Sequence, residues 1–216
     1  MKKLIHGIVE FRKNLTEERR ALFASLALGK RPDALFIGCA DGRVVPNLFA
    51  STDPGDLFVL RNVGNLVPPA SAEELSVYSA LEFAVFVLQV RDIVVCGHSE
   101  CGGMLALSQD THFPSCHHFR SWLQYGEPSL HRVRQGEIRD PELSQHNQVS
   151  RINVLQQIEH LKTYDFIRER VENKQLRIHG WWFDIARADV YCYEPTLDRF
   201  VLMDEQEAKL VLERLG

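Results

Sequence analysis

The chain has 216 residues, with 25 Lys and Arg against 29 Asp and Glu, a formal net charge of −4 that argues against non-specific affinity for nucleic acid or an anionic membrane. Its five cysteines are an odd number for a disulfide framework, no apolar run approaches the roughly 18 residues that span a bilayer, and charges interrupt the N-terminal segment where a secretory signal would be apolar. The expectation is one soluble domain over residues 1–216 in the cytoplasm, where thiols stay reduced and the cysteines need a chemical explanation.

In chain order, Leu4, Ile5, Ile8 and Val9, then Leu22, Phe23 and Leu26, recur at helical spacing, with Thr16 as a start signal and Gly29 as a stop. Residues 1–29 therefore read as two amphipathic helices forming an arm. Apolar runs at 34–38, 57–60 and 93–97 read as strands of a sheet buried on both faces. Between the last two, Ala72 to Val90 reads as one largely buried helix, and another begins at Met104. Residues 110–146 are rich in His, Pro, Gly, Ser and charge and read as a surface excursion anchored by Trp122 and Leu123 around one short helix. A helical stretch from Asn147 to Lys174, strands near 176–183, 190–193 and 200–202, a turn at Pro195 and a last helix to Leu215 complete the chain. Strands alternating with helices give an α/β architecture with right-handed crossovers.

Three strands end in polar sequence: C-A-D-G-R at 39–43, R-N-V-G-N at 61–65 and H-S-E-C-G-G at 98–103. In an open α/β sheet the carboxyl ends of the strands line the ligand crevice, so Cys39, Asp41, His98 and Cys101 can converge there. Two thiolates, an imidazole and a carboxylate form a tetrahedral set that favours zinc over magnesium or calcium. A single Cys at a strand end is usually a small buried hydrophobe, and Cys96 and Cys192, inside apolar runs, are read that way. The rival cluster of His112, Cys116, His117 and His118 lacks a paired second half and reads as a solvated loop. The 97–103 loop lacks the G-x-G-x-x-G order of a nucleotide cradle. His6, His131, His146 and His160 carry no assigned role. The pair Asp41 and Arg43 matters because such a pair beside a metal ligand controls whether the carboxylate reaches the metal.

With these motifs, P-G-D-L-F-V-L-R-N-V-G-N at 54–65, E-F-A-V at 82–85 and H-G-W-W-F-D at 179–184, the chain resembles the β-class carbonic anhydrases over nearly its whole length. The resemblance implies a mixed sheet with a mainly parallel centre flanked by helices. It also implies an obligate homodimer or higher homo-oligomer in which the arm, 1–29, packs on the partner subunit. Cys39, His98 and Cys101 match the family's ligands for one Zn²⁺ per subunit, and Asp41 and Arg43 its catalytic dyad. Gly102 matches the position whose backbone N–H faces the substrate. Phe58, Val63 and Phe83 match apolar pocket positions, often supplied across the dimer interface, and Lys30 stands where the plant-like branch commonly has a substrate-binding Gln. The activity implied is reversible hydration of CO₂ to bicarbonate and a proton by zinc-bound hydroxide. Two thiolates weaken the acidification of zinc-bound water relative to three imidazoles, so activity is expected to rise between pH 6.5 and 9.

Five positions depart from the pattern: Ala40 and Gly42 replace serines, Lys30 replaces a common Gln, Phe83 replaces a common Tyr, and Tyr78 adds bulk that would narrow the pocket. They keep two rivals in view, a carbonyl sulfide or carbon disulfide hydrolase on the same zinc site and a non-catalytic zinc-binding scaffold. One branch of the family is closed by bicarbonate near a Trp and a Tyr, which here are Phe36 and Phe183. Asp41 is therefore expected to be paired with Arg43, with no such inhibition.

Overall fold

The computed structural model describes residues 1–29, 31–109, 114–137 and 140–215; Lys30 and His112 lie outside the described residues. The arm forms α1 (Lys2–Lys13) and α2 (Glu17–Leu26). Thr16 Oγ1 accepts a hydrogen bond from the Arg19 N–H at 3.2 Å, the N-cap that sets the start of α2. Neither helix buries a residue.

The core begins with β1 (Ala34–Cys39), a one-turn α3 (Pro46–Phe49) and β2 (Leu57–Asn62). After a 3₁₀ turn at Ala70–Ala72, α4 (Leu75–Glu82) runs into a π-helical segment, Phe83–Leu88, and then β3 (Asp92–His98). The single helix expected over 72–90 is thus broken in pitch. Gln89 closes it at φ +57°, with the Val90 N–H reaching back to the Ala84 carbonyl.

Next come α5 (Gly102–Ser108), α6 (His117–Leu123), a 3₁₀ turn at Gln124–Gly126 and α7 (Glu127–Arg134). Residues 114–137 are therefore more helical than their composition suggests, and Leu123, Leu130 and Val133 are buried. The expected helical stretch after 146 is two helices, α8 (Gln145–Lys162) and α9 (Asp165–Glu172). The chain finishes with β4 (Arg177–Asp184), β5 (Asp189–Glu194), β6 (Arg199–Leu202) and α10 (Glu205–Leu215).

The strands form one six-stranded sheet in the order β2-β1-β3-β4-β5-β6. The first four are mutually parallel, while β5 and β6 add on antiparallel. Leu35, Ile37, Ile93 and Val95 face the larger core, and Phe36, Val94, Cys96 and Phe183 the smaller one on the opposite face. Helix α8 packs closely over β3 and β4. A Cβ added at Gly97 would come within 2.8 Å of Val154 Cγ2, and one at Gly180 within 3.0 Å of Val154 Cγ1. Because β1 and β3 are parallel with Gly38 opposite Cys96, Cys39 and His98 leave the sheet at the same edge. No described helix is long and apolar enough to cross a membrane.

Candidate metal centre

Cys39 ends β1, His98 ends β3, and Cys101 precedes the first residue of α5. Glu100, at φ +54°, turns the chain sharply between the latter two. All three side chains are buried, with their ligand atoms within 4.8 Å of one another and the two sulfurs 4.0 Å apart. Among the described residues this is the one such group of His, Cys, Asp and Glu. His98 Nδ1 lies 2.8 Å from the Ser99 carbonyl, which fixes the tautomer with the proton on that nitrogen. Its Nε2 is buried without a hydrogen-bond partner, an arrangement that costs free energy unless another group uses the lone pair.

The thiols add a second sign. Hydrogen bonding between them lowers the pKa of Cys39 and raises that of Cys101; burial opposes the first shift and reinforces the second. Alone, the pair favours one negative charge, whereas a dication between the sulfurs stabilises both thiolates. The Gly64 N–H donates to Cys39 Sγ at 3.4 Å, as expected for a sulfur carrying charge. The donor set and the unused Nε2 fit Zn²⁺.

In the loop that follows Cys39, Arg43 grips Asp41 with a fork. Nε reaches Oδ1 at 3.0 Å and Nη2 reaches Oδ2 at 2.7 Å, while the Arg43 backbone N–H also donates to Oδ1 at 2.9 Å. These bonds hold the Asp41 carboxyl well below the usual carboxylate range, overcoming a smaller opposing effect of burial. Arg43 Nη2 also donates to the Glu100 carbonyl at 2.9 Å, tying the first polar loop to the second.

Several residues support this arrangement from outside the cluster. Arg61 donates to the carbonyls of Cys39, Asp41 and Val44 at 2.9, 2.5 and 2.7 Å and so fixes the loop carrying the dyad. Asn147 accepts from the Glu100 N–H and donates to its carboxylate, and His146 pairs with the same carboxylate at 3.1 Å. The Ser150 hydroxyl donates to the His98 carbonyl at 2.8 Å and accepts from Trp182 Nε1 at 3.1 Å. The R-N-V-G-N motif signalled Arg61; Asn147 and Ser150 carry no local signal because their partners are about 50 residues away in sequence.

The remaining site residues fall into two groups. Gly102 opens α5 beside Cys101 and is exposed, with open space where a Cβ would be. Val63 is 41 % exposed, and its backbone carbonyl accepts from Trp122 Nε1 at 2.8 Å. Phe58 and Phe83 instead pair with each other, ring centroids 5.7 Å apart, and Phe58 sits opposite Leu35, four positions before Cys39 on β1. Within one chain they do not join the metal cluster. Tyr78 packs its ring against Tyr164 at 4.9 Å and Phe166 at 6.1 Å. Phe36 and Phe183 are buried on either side of Phe49, at 6.1 and 4.8 Å, in an apolar stack. Cys96 is buried, Cys192 partly so and Cys116 exposed.

A family model described as carbonic anhydrase matches residues 34–190. The chain belongs to the carbonic anhydrase family. Its curated relatives include a carbonic anhydrase of Helicobacter pylori strain J99, 38% identical over 197 residues that cover 87% of each chain. A carbonic anhydrase of Pseudomonas aeruginosa is 36% identical over 205 residues, covering 95% of this chain and 93% of the relative. Among solved structures, the β-carbonic anhydrase CcaA matches with a TM-score of 0.87 at 34% identity, covering 95% of this chain and 92% of that one. The sheet order and these relatives place the chain in the β class of carbonic anhydrases.

Proposed function

We propose that this β-class carbonic anhydrase interconverts CO₂ and bicarbonate at a single Zn²⁺ held by Cys39, His98 and Cys101, working in the cytoplasm as one domain that assembles into homodimers or larger homo-oligomers. The observation that carries the proposal is the buried His98 Nε2 with no protein partner beside two sulfurs 4.0 Å apart, with Asp41 and Arg43 paired in the loop that follows Cys39. A bound zinc ion acidifies water and so supplies hydroxide near neutral pH. Cys39 and Cys101 as thiolates and His98 as neutral imidazole would offset its two charges.

Arg43 occupies both carboxylate oxygens of Asp41 and holds the group ionised and in one orientation. Asp41 is then available as a hydrogen-bond acceptor that positions the attacking oxygen and receives its proton contact, while Arg43 keeps it from acting as a fourth ligand. The backbone N–H of Gly102, at the start of α5, is a donor for an oxygen of the substrate or of bicarbonate. Val63, Phe58 and Phe83 supply apolar walls suited to an uncharged gas. Phe58 and Phe83 do so across the subunit interface, where the exposed Phe83 faces a partner. Lys30 is retained as a candidate bicarbonate contact. The buried Phe36 and Phe183, with the half-buried Phe49 between them, offer apolar rings where an inhibitory bicarbonate would need polar partners, in keeping with the paired state of Asp41 and Arg43. One solved relative, from Sordaria macrospora, is described as a tetrameric β-carbonic anhydrase, which supports assembly beyond one chain.

The test is stopped-flow CO₂ hydration by zinc-loaded wild type and Asp41→Asn in parallel, with zinc content measured on both. Wild type should be active with one zinc per subunit and a rate rising from pH 6.5 to 9, and Asp41→Asn should lose at least about 100-fold while keeping its zinc. Release of sulfide from carbonyl sulfide or carbon disulfide without CO₂ hydration would replace this reading with the hydrolase. Inactivity of the zinc-loaded wild type on all three gases would leave only a scaffold.

A further inference from the structure

The end of the sheet opposite the metal centre carries a second concentration of charge. Three segments meet there: Arg31 just before β1, Arg91 just before β3, and the turn from α9 into β4, which brings Arg170, Lys174 and Arg177. Together they line a cleft of about 820 Å³. The turn is tightly built. The Gln175 and Leu176 N–H groups both donate to the Arg170 carbonyl, at 2.8 and 3.1 Å, and the Arg177 N–H donates to the Arg91 carbonyl at 2.9 Å. Lys174 occupies the left-handed region at φ +58°, a conformation that costs a residue with a Cβ. Five cations line one cleft in a chain of net charge −4, and no described Asp or Glu lines it with them.

Their protein partners account for only part of this charge. Arg177 holds Asp92 through Nε at 2.7 Å and Nη2 at 2.8 Å. Arg31 Nη1 donates to the neutral Gln89 amide oxygen at 2.9 Å. Arg170 Nη1 donates to the Phe166 carbonyl at 3.0 Å, and its guanidinium lies 4.7 Å from the centre of the Phe86 ring. Among the described residues, Arg91 and Lys174 make no ion pair. Gathering like charges without counter-charge is unfavourable unless an anion joins them. Guanidinium forks match phosphate geometry, and Lys adds a point charge. One wall is apolar, from Pro32, Val85, Leu88 and the half-exposed Phe86, so an organic group can lie beside the anionic one. The volume is that of a small-molecule site, and the concave shape and acidic chain do not suit a nucleic-acid duplex.

We propose that this cleft binds a small phosphate-bearing anion. The seven-residue rise from Arg91 to His98 places it roughly 20 Å from the metal centre at about 3.3 Å per residue. The site uses none of the residues assigned to CO₂ hydration, so it stands or falls independently of that function.

Isothermal titration calorimetry on the zinc-loaded full chain at low salt tests it, with inorganic phosphate, pyrophosphate and phenyl phosphate as probes against wild type and Arg91→Ala/Lys174→Ala. Both residues are exposed, so the variant should keep the wild-type circular dichroism spectrum and CO₂ hydration rate. At least one probe should bind saturably at one site per subunit, and the variant should weaken it by at least about tenfold. Phenyl phosphate binding tighter than pyrophosphate identifies an organic phosphate ester as the source, and the reverse order an inorganic polyphosphate. The proposal is overturned if no probe binds saturably, or if the folded variant binds as wild type does, which would locate the anion elsewhere.

Discussion

Asp92 shows how one carboxylate can organise the start of two strands. Its Oδ1 lies 2.7 Å from both Arg177 Nε and His179 Nε2, and its Oδ2 accepts from Arg177 Nη2 at 2.8 Å. Burial alone would raise its pKa, but the hydrogen bonds from His179 and Arg177 prevail and bring it from 3.8 to about 2. Because the folded-state value is below the unfolded one, the carboxylate stabilises the fold above about pH 4, and this contribution is lost as pH falls towards about 2. Arg177 is 43% exposed, so solvent screening reduces the effect to about 1–2 kcal/mol. Asp92→Asn should therefore unfold at lower urea concentration than wild type at pH 7, with the difference shrinking as the pH is taken down towards 2. A difference of constant size across that range would show that the residue acts by packing rather than by charge. At this scale the sequence was informative where chemistry is local. Cys39, His98 and Cys101 stood out because ligand-type residues and turn glycines cluster at strand ends. Asn147 and Ser150 did not, since each is an ordinary polar residue whose partner is supplied by the fold.

The elements show the same division. The strands were legible because unbroken apolar runs are what a doubly covered sheet needs. Helix α8 buries residues around most of its surface, among them Asn147, Arg151, Asn153, Gln157 and His160, so polarity was a poor guide to which face points inward. Arg151 lies 4.3 Å from the centre of the Trp182 indole and 3.1 Å from Asp140, which is how a charged residue is accommodated there. The helices of 114–137 are hard to read from sequence for a related reason: the anchors Leu123, Leu130 and Val133 are sparse, and Trp122 is held by a hydrogen bond to Val63 rather than by depth.

Close packing of α8 on the sheet gives a test at this scale. An alanine at Gly97 would meet Val154 Cγ2 at 2.8 Å and the Ser150 backbone oxygen at 3.1 Å, so the helix must move away from the strand that ends in His98. Gly97→Ala should destabilise the protein by about 1–3 kcal/mol and lower its zinc content at a fixed free-zinc concentration. Gly42 has nothing within 4 Å of a built Cβ and no left-handed φ, so Gly42→Ser should leave thermal stability and zinc content near wild type. The departure from the family's serine there is not a backbone requirement. Equal loss of stability in the two variants would contradict this account of α8.

For the whole molecule, the arm is the part that the single chain does not explain. Helices α1 and α2 have 12 and 10 residues and bury none of them, and isolated helices of that length are marginal in water. Leu4, Ile5, Ile8 and Phe11 remain 53–69% exposed along α1, and Phe11 meets Phe23 of α2 edge-on at a centroid distance of 6.2 Å. A contiguous apolar face of this kind marks an interaction surface, and the proposed homodimer supplies the cover. Two charges on that face, Ile8→Asp/Phe11→Asp, should cost several kcal/mol of association by burying unpaired carboxylates. Sedimentation velocity should then show monomer at concentrations where wild type is dimeric or larger. Because Phe58 and Phe83 are proposed to act across the interface, the monomer should also lose CO₂ hydration while keeping its zinc, since all three ligands come from one chain. Dissociation with full activity would place the substrate pocket inside a single subunit. An unchanged oligomer would show that the arm's apolar face is not what holds the subunits together.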